Sequence, residues 1–154
     1  MNQPIKRHKA LQPWSRDHHQ GLLLSWKIKK GFALNVDPNR IKDYCNWFWK
    51  THLLVHFETE ENYIFPILGE ENHLVEQALD EHEQLRSMFE QKEADTDTLS
   101  QIETLLNDHI RFEERALFNA IQEVASKEEL KLLEDAHKEG VSCEVWTDEF
   151  WIEK

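Results

Sequence analysis

His56 to Phe65 reads HFETEENYIF, and 53 residues further on His109 to Phe118 reads HIRFEERALF. Both follow one template: His, three residues, Glu-Glu, two residues, Ile or Leu, then Phe. Residues four apart on an α-helix turn by about 400° and lie about 6 Å apart along the axis. As helices, the two stretches therefore set His56 beside Glu60 and His109 beside Glu113, each pair on an apolar face aimed at a core. A buried carboxylate is costly unless a cation or a strong donor compensates it. Two matched pairs in one chain call for a cation, and a metal cluster is the natural one.

Working outward, four long amphipathic stretches emerge. The first runs from about Ser15, read as an N-cap, to Lys30, with Gly31 as its stop. The second starts at the turn Asn35 to Pro38 and carries Ile41, Cys45, Phe48, Trp49, His52, His56 and Glu60 to Phe65, before Pro66. The third presents Val75, Ala78, His82, Leu85 and Phe89. After the polar linker EADTD, the fourth presents Ile102, Leu106, His109, Glu113, Leu117 and Ala120. These spacings of three and four residues trace one helical face each. Short connections between long helices predict an all-α, antiparallel up-down-up-down four-helix bundle. The bundle core covers about 14–122 of a single domain over 1–154. The appendage, about 123–154, holds a short helix at 127–138 and a tail whose Trp146, Phe150 and Trp151 pack on the bundle or at a homodimer contact.

Composition agrees. The chain has 154 residues, 40% hydrophobic and 31% charged, with only four glycines and four prolines, so it breaks seldom. The net charge of −12 repels phosphate backbones and anionic membranes, which sets nucleic acid and membrane aside as partners. No apolar run approaches the ~20 residues of a spanning helix. The basic N-terminus lacks the apolar segment of a signal peptide. Cys45 and Cys143 form no CxxC pair and need no disulfide, so a reducing cytoplasm is the expected location.

The duplication extends upstream, because Asp17-His18 precedes the first pair and Glu81-His82 the second. The order His, HxxxE, His, HxxxE assigns one element to each helix. Folded up and down, the candidate ligands His18, His56, Glu60, His82, His109 and Glu113 meet near the bundle centre. Carboxylates bridge two metals and each imidazole serves one, a nitrogen and oxygen set that suits iron or manganese, with zinc or copper possible in vitro. It is a poor calcium site, which would be all oxygen. In the first helix His18 shares a side with Leu22, Ile28 and Phe32. His19 leans toward Lys27 and Lys30 but also has Leu22 and Trp26 at favourable offsets, so both remain candidates, with His18 preferred. Glu61 and Glu114 sit about 100° round their helices, in solvent or behind the ligands. His52 forms an HxxxH spacing with His56, yet lies about 12 Å along the axis from Glu60 and cannot share an ion with it. It is read as a core or outer histidine. His8 and His73 read as surface residues, and His137 belongs to the short helix.

The motifs DHHQGLLLSWKI, HFETEENYIFP, DEHEQLR and HIRFEERALF together resemble the hemerythrin family, specifically the bacterial HHE cation-binding domains. That resemblance implies a non-heme di-iron centre in a four-helix bundle. Glu60 and Glu113 would bridge the irons, His18 and His56 would serve one, and His82 and His109 the other. An open position would take dioxygen, peroxide or nitric oxide. The oxygen carriers of the family place a second histidine four residues from the one on the third helix; here those positions are Ala78 and Arg86. They also end on an aspartate five residues after the last histidine, where this chain has Glu113 at four. The departures favour sensing, iron handling, or peroxide and nitric oxide chemistry over reversible oxygen carriage.

The leading expectation is a binding protein that binds or senses dioxygen or nitric oxide, or handles iron. The alternative is a di-iron enzyme acting on peroxide or another small oxidant. A ferritin-like centre would use Glu-x-x-His, but Glu70 to His73 and Glu134 to His137 lie at a helix start and in the short helix. A metal-free interaction module would leave six polar residues in the core without purpose.

Overall fold

In the computed structural model, which describes residues 6–136 and 145–153, helix α1 spans Gln12–Ala33. It begins ahead of Ser15, because Pro13 sits comfortably in a first turn where its missing N–H is not needed. Nor does Gly31 stop the helix. The chain turns only after Ala33, where Asn35 takes a left-handed conformation at φ 57°. Helix α2 is one rod over 38–67, capped by Asp37, whose carboxylate accepts from the Asn39 N–H at 2.9 Å. Within it, α-helical Pro38–Phe48 and Leu54–Thr59 alternate with π turns at Trp49–Leu53 and Glu60–Ile64, and a 3-10 turn, Phe65–Ile67, ends it. Helix α3 is His73–Phe89, capped by Asn72. Helix α4 covers 96–124, capped by Asp95, with a π turn at Glu113–Leu117 between Thr96–Phe112 and Phe118–Val124. Lys127–Ala136 forms α5. There is no strand among the described residues. His137, Cys143 and the end of the expected 127–138 helix lie outside them.

Two apolar clusters fill the interior. The first includes Leu24, Ile28, Ile41, Phe48, Trp49, Phe57, Leu85, Phe89, Leu99, Leu106 and Ile110. The second includes Leu11, Trp14, Ile64, Phe65, Val75, Ala78, Leu117, Phe118 and Ile121, with Leu133 of α5 packed into it. Along α1 and α3 the chain passes from the second cluster to the first, and along α2 and α4 it passes back. That alternation is the up-down-up-down bundle. Between the clusters, on each helix, lie the buried polar residues His18, His56, Glu60, His82, His109 and Glu113.

The faces differ in detail from the sequence reading. In α1 the buried line is Trp14, His18, Gly21, Leu24, Ile28 and Gly31, while Leu22 and Phe32 are only half-buried. Glycine carries no hydrophobic signal, yet at both of these a side chain of a neighbouring helix fills the space a Cβ would need. A Cβ on Gly21 would sit 2.6 Å from Cδ1 of Ile110 in α4, and one on Gly31 would sit 2.8 Å from Cδ1 of Ile41 in α2. In α4, Phe118 and Ile121 are buried and Ala120 is half-buried, because the π turn advances the inward face.

The tail packs on the bundle. Phe150 is buried in the first cluster, the Lys27 ammonium stands 3.8 Å over the Trp151 ring, and the Trp146 ring meets Tyr44 edge-on. No helix among the described residues is long and apolar enough to cross a membrane.

Candidate metal centre

The four histidines point Nε2 inward. His56 Nε2 lies 3.2 Å from Oε1 of Glu60, and His109 Nε2 lies 3.3 Å from Oε2 of Glu113, the two i,i+4 pairs of the repeat. The histidines of α1 and α3 reach both glutamates. His18 Nε2 is 2.8 Å from Glu113 and 3.6 Å from Glu60, and His82 Nε2 is 3.3 Å from Glu60 and 3.7 Å from Glu113. His18, His56, Glu60 and Glu113 form one group of possible ligand atoms, and Glu60, His82, His109 and Glu113 a second. Within each group the atoms all lie within 4.8 Å of one another, and both glutamates are common to the two. These are two adjacent candidate metal sites sharing two carboxylates.

His18 is buried and His19 is exposed, so it is His18 that the fold brings to the centre. The turn to His52 comes out differently from its expected place on the inward face. The π turn Trp49–Leu53 inserts a residue into the helical phase, so Leu53 takes the buried position. His52 is half-buried against the rings of Trp47 and Phe48. His73 and Glu70 are exposed at the α2–α3 turn, away from any ferritin-like arrangement.

Each histidine turns its outer nitrogen, Nδ1, to a carboxylate on a neighbouring helix. Asp17 of α1 holds His56 at 3.0 Å, and Glu61 of α2 holds His82 at 2.8 Å. Glu81 of α3 holds His109 at 2.7 Å, and Glu114 of α4 holds His18 at 2.8 Å. The carboxylates thus run helix to helix in chain order and close on the first. Such a bond keeps a proton on Nδ1 and fixes the ring, so that Nε2 would be the nitrogen offered to a bound cation. The sequence reading named Asp17 and Glu81 only as neighbours of ligands, and left Glu61 and Glu114 between solvent and an outer position. A signal existed: every helix carries a carboxylate directly next to its ligand, about 100° round and so facing the next helix.

Rings brace the histidines from the sides. Phe57 stacks on His82 with centroids 3.8 Å apart, and Phe118 stacks on His18 at 5.1 Å. Phe65, the counterpart of Phe118 in the repeat, lies 5.3 Å from His82. Glu60 and Glu113 occupy matching positions too, each opening a π turn in which the Phe65 or Phe118 N–H bonds back to the glutamate carbonyl. π turns recur at functional sites.

Charge in this interior is finely opposed. Burial is the largest single influence on each imidazole and lowers its pKa, but the facing carboxylates together outweigh it. His56 is raised to about 9, His109 is raised, and His18 and His82 are raised well above the ordinary value. Burial pushes Glu60 and Glu113 upward, and the Glu113 charge adds to this at Glu60, yet the surrounding imidazoles hold both below the ordinary carboxylate value. Even so, His56 Nε2, His82 Nε2, His109 Nε2, both oxygens of Glu60 and Oε2 of Glu113 are buried without a hydrogen-bond partner. Buried polar atoms are almost always satisfied, so six converging on one interior point fit a cation.

A family model described as "Hemerythrin HHE cation binding domain" matches residues 16–121, more than two thirds of the chain. The chain belongs to the hemerythrin HHE family. Comparison with curated proteins and with solved structures gives no match. All six converging residues of this HHE domain lie inside the matched segment, and so do the four outer carboxylates. The N-terminal residues 6–15, the helix α5 and the tail lie beyond it.

Proposed function

We propose that this HHE domain holds two iron ions and uses them to bind or sense a small ligand such as dioxygen or nitric oxide. His18 and His56 would hold one iron, His82 and His109 the other, and Glu60 and Glu113 would bridge both. The observation that carries the reading is the pair of buried ligand groups, each with two imidazoles and both sharing Glu60 and Glu113, within which six inward atoms have no hydrogen-bond partner. Nitrogen and oxygen donors of this kind suit iron, and would take other divalent metals in vitro. Iron so bound supplies redox chemistry and coordination places beyond the four protein donors.

The chain's own residues account for the rest. The outer carboxylates orient the imidazoles, Phe57 and Phe118 hold their planes, and the two apolar clusters exclude water along the bundle axis. A peroxide-consuming enzyme on this centre would be favoured by a reactive thiol nearby. Cys45 does not supply one, since it is buried in the first cluster and burial pushes its thiol up to about 12.

The test is anaerobic reconstitution with ferrous iron followed by optical titration with dioxygen, nitric oxide and peroxide. The expected result is about two irons per chain and a saturable spectral change with dioxygen or nitric oxide. Purified protein that takes up no iron, or shows no near-UV absorption of an oxygen-bridged pair after oxidation, removes the proposal. Steady turnover of peroxide, lost in Glu60→Ala, would replace it with the enzyme reading.

A further inference from the structure

Arg7 lies outside the family-matched segment and yet reaches the surroundings of the centre. Its guanidinium donates from Nη1 to Oδ1 of Asn119 at 3.1 Å and Oε1 of Gln122 at 3.0 Å, and from Nη2 to the Glu114 carbonyl at 2.6 Å. The same Nη2 is 3.6 Å from Oε1 of Glu114. The Glu114 carboxylate also accepts from the Ser15 hydroxyl and holds Nδ1 of His18. Arg7 meets His18 by a second route as well. Its Cζ stands 5.4 Å over the ring of Phe118, which stacks on the His18 imidazole with the planes 20° apart. One guanidinium therefore touches both groups that fix the His18 ring from outside: the acceptor on its outer nitrogen and the aromatic face beside it. At His82 the corresponding carboxylate, Glu61, has Arg86 at 3.9 Å.

The segment carrying Arg7 is itself fastened. The His8 N–H donates to Oε1 of Gln122 at 2.8 Å, Nε2 of Gln122 donates to the Lys6 carbonyl at 3.1 Å, and Ala10 and Leu11 are fully buried in the second cluster. We propose that Arg7 is a positioning residue through which the N-terminal arm, residues 6–11, sets the orientation of His18 and so the affinity of the His18/His56 metal position, making the two positions unequal. This rests on the di-metal reading above. The physical reason is that a guanidinium is a planar, always-charged fork, able to fix a carbonyl, two side-chain amides and a carboxylate at once. Losing the outer partner of a ligating histidine costs about 10–100-fold in metal affinity, and Arg7 acts one step further out, so about tenfold is expected.

The experiment is Co(II) titration of the full chain against a chromophoric chelator, which resolves the affinities of the two positions. In Arg7→Gln, one affinity falls about tenfold and the other holds within about twofold. Glu114→Gln gives the same one-position loss, and the double variant is no worse than Glu114→Gln alone, because the two residues act in one chain. Gln122→Ala, which unfastens the arm while keeping the guanidinium, moves the same position in the same direction and serves where Arg7→Gln does not fold. Unchanged affinities, equal losses at both positions, or additive losses in the double variant each overturn the proposal. A wild-type chain that binds no cobalt instead sinks the di-metal reading, and this inference with it.

Discussion

Withdrawing metal should destabilise the protein by an amount the interior geometry bounds. Six buried atoms at the centre have no hydrogen-bond partner: three imidazole nitrogens, both oxygens of Glu60 and one of Glu113. An unsatisfied buried polar group costs about 1–3 kcal/mol. Because protonated imidazoles and ionised glutamates partly compensate one another without metal, the lower end applies, about 6 kcal/mol for the six. Mass action gives a similar figure, since two sites each occupied at about 100 times their Kd contribute about 2.7 kcal/mol apiece. For a chain of this size each kcal/mol moves Tm by about 2–4 °C. Chelation should therefore lower Tm by about 12–24 °C, read by circular dichroism on iron-loaded protein with and without a tight chelator, then restored by ferrous iron. A Tm that stays within about 2 °C would refute the reasoning, for it would mean that the buried cluster is satisfied without a cation.

Glu61→Gln keeps the shape but removes the charge behind His82, and should weaken metal binding about 10–100-fold, measured by chelator competition. His19→Ala and His52→Ala should leave the bound metal per chain unchanged in elemental analysis, since neither side chain reaches the centre. In the metal-free protein His56 is raised from 6.5 to about 9, so its stabilising contribution is fully present below about pH 6.5 and is lost as the pH climbs through about 9. The metal-free Tm should accordingly fall between neutral and strongly alkaline pH. Over the same range metal affinity should rise, because loading displaces that proton, and loading in weak buffer at neutral pH should release acid. A metal-free Tm that increases with alkalinity would reverse the assigned sign.

Helix count, order and the six inward residues were legible in the sequence because they rest on spacing. His56/Glu60 and His109/Glu113 share a face whatever surrounds them; the line through His82 comes out buried as read, and the line through His109 does so as far as Leu117. What escaped depends on contacts between helices. Gly21 and Gly31 read as nothing or as a stop, and prove to be places where Ile110 and Ile41 of neighbouring helices press against α1. No residue type announces the π turns, yet they turn His52 aside and bring Ile121 in. Asp17 and Glu81 were visible as charges beside ligands, but only the packed bundle tells which histidine each one holds. Arg7 stood in a basic stretch with no periodicity, so nothing local marked its reach across 107 residues to Glu114.

The placement of the two apolar clusters has a consequence for traffic. Since one lies on each side of the polar layer, charge and water meet apolar packing along the bundle axis, and the polar way to the centre is sideways between the rods. Lying in those seams are Asp17, Glu61 and Glu114, each with about a third of its side chain in solvent and its other end on an imidazole. A rim of carboxylates thus joins the imidazoles to water without crossing either apolar cluster.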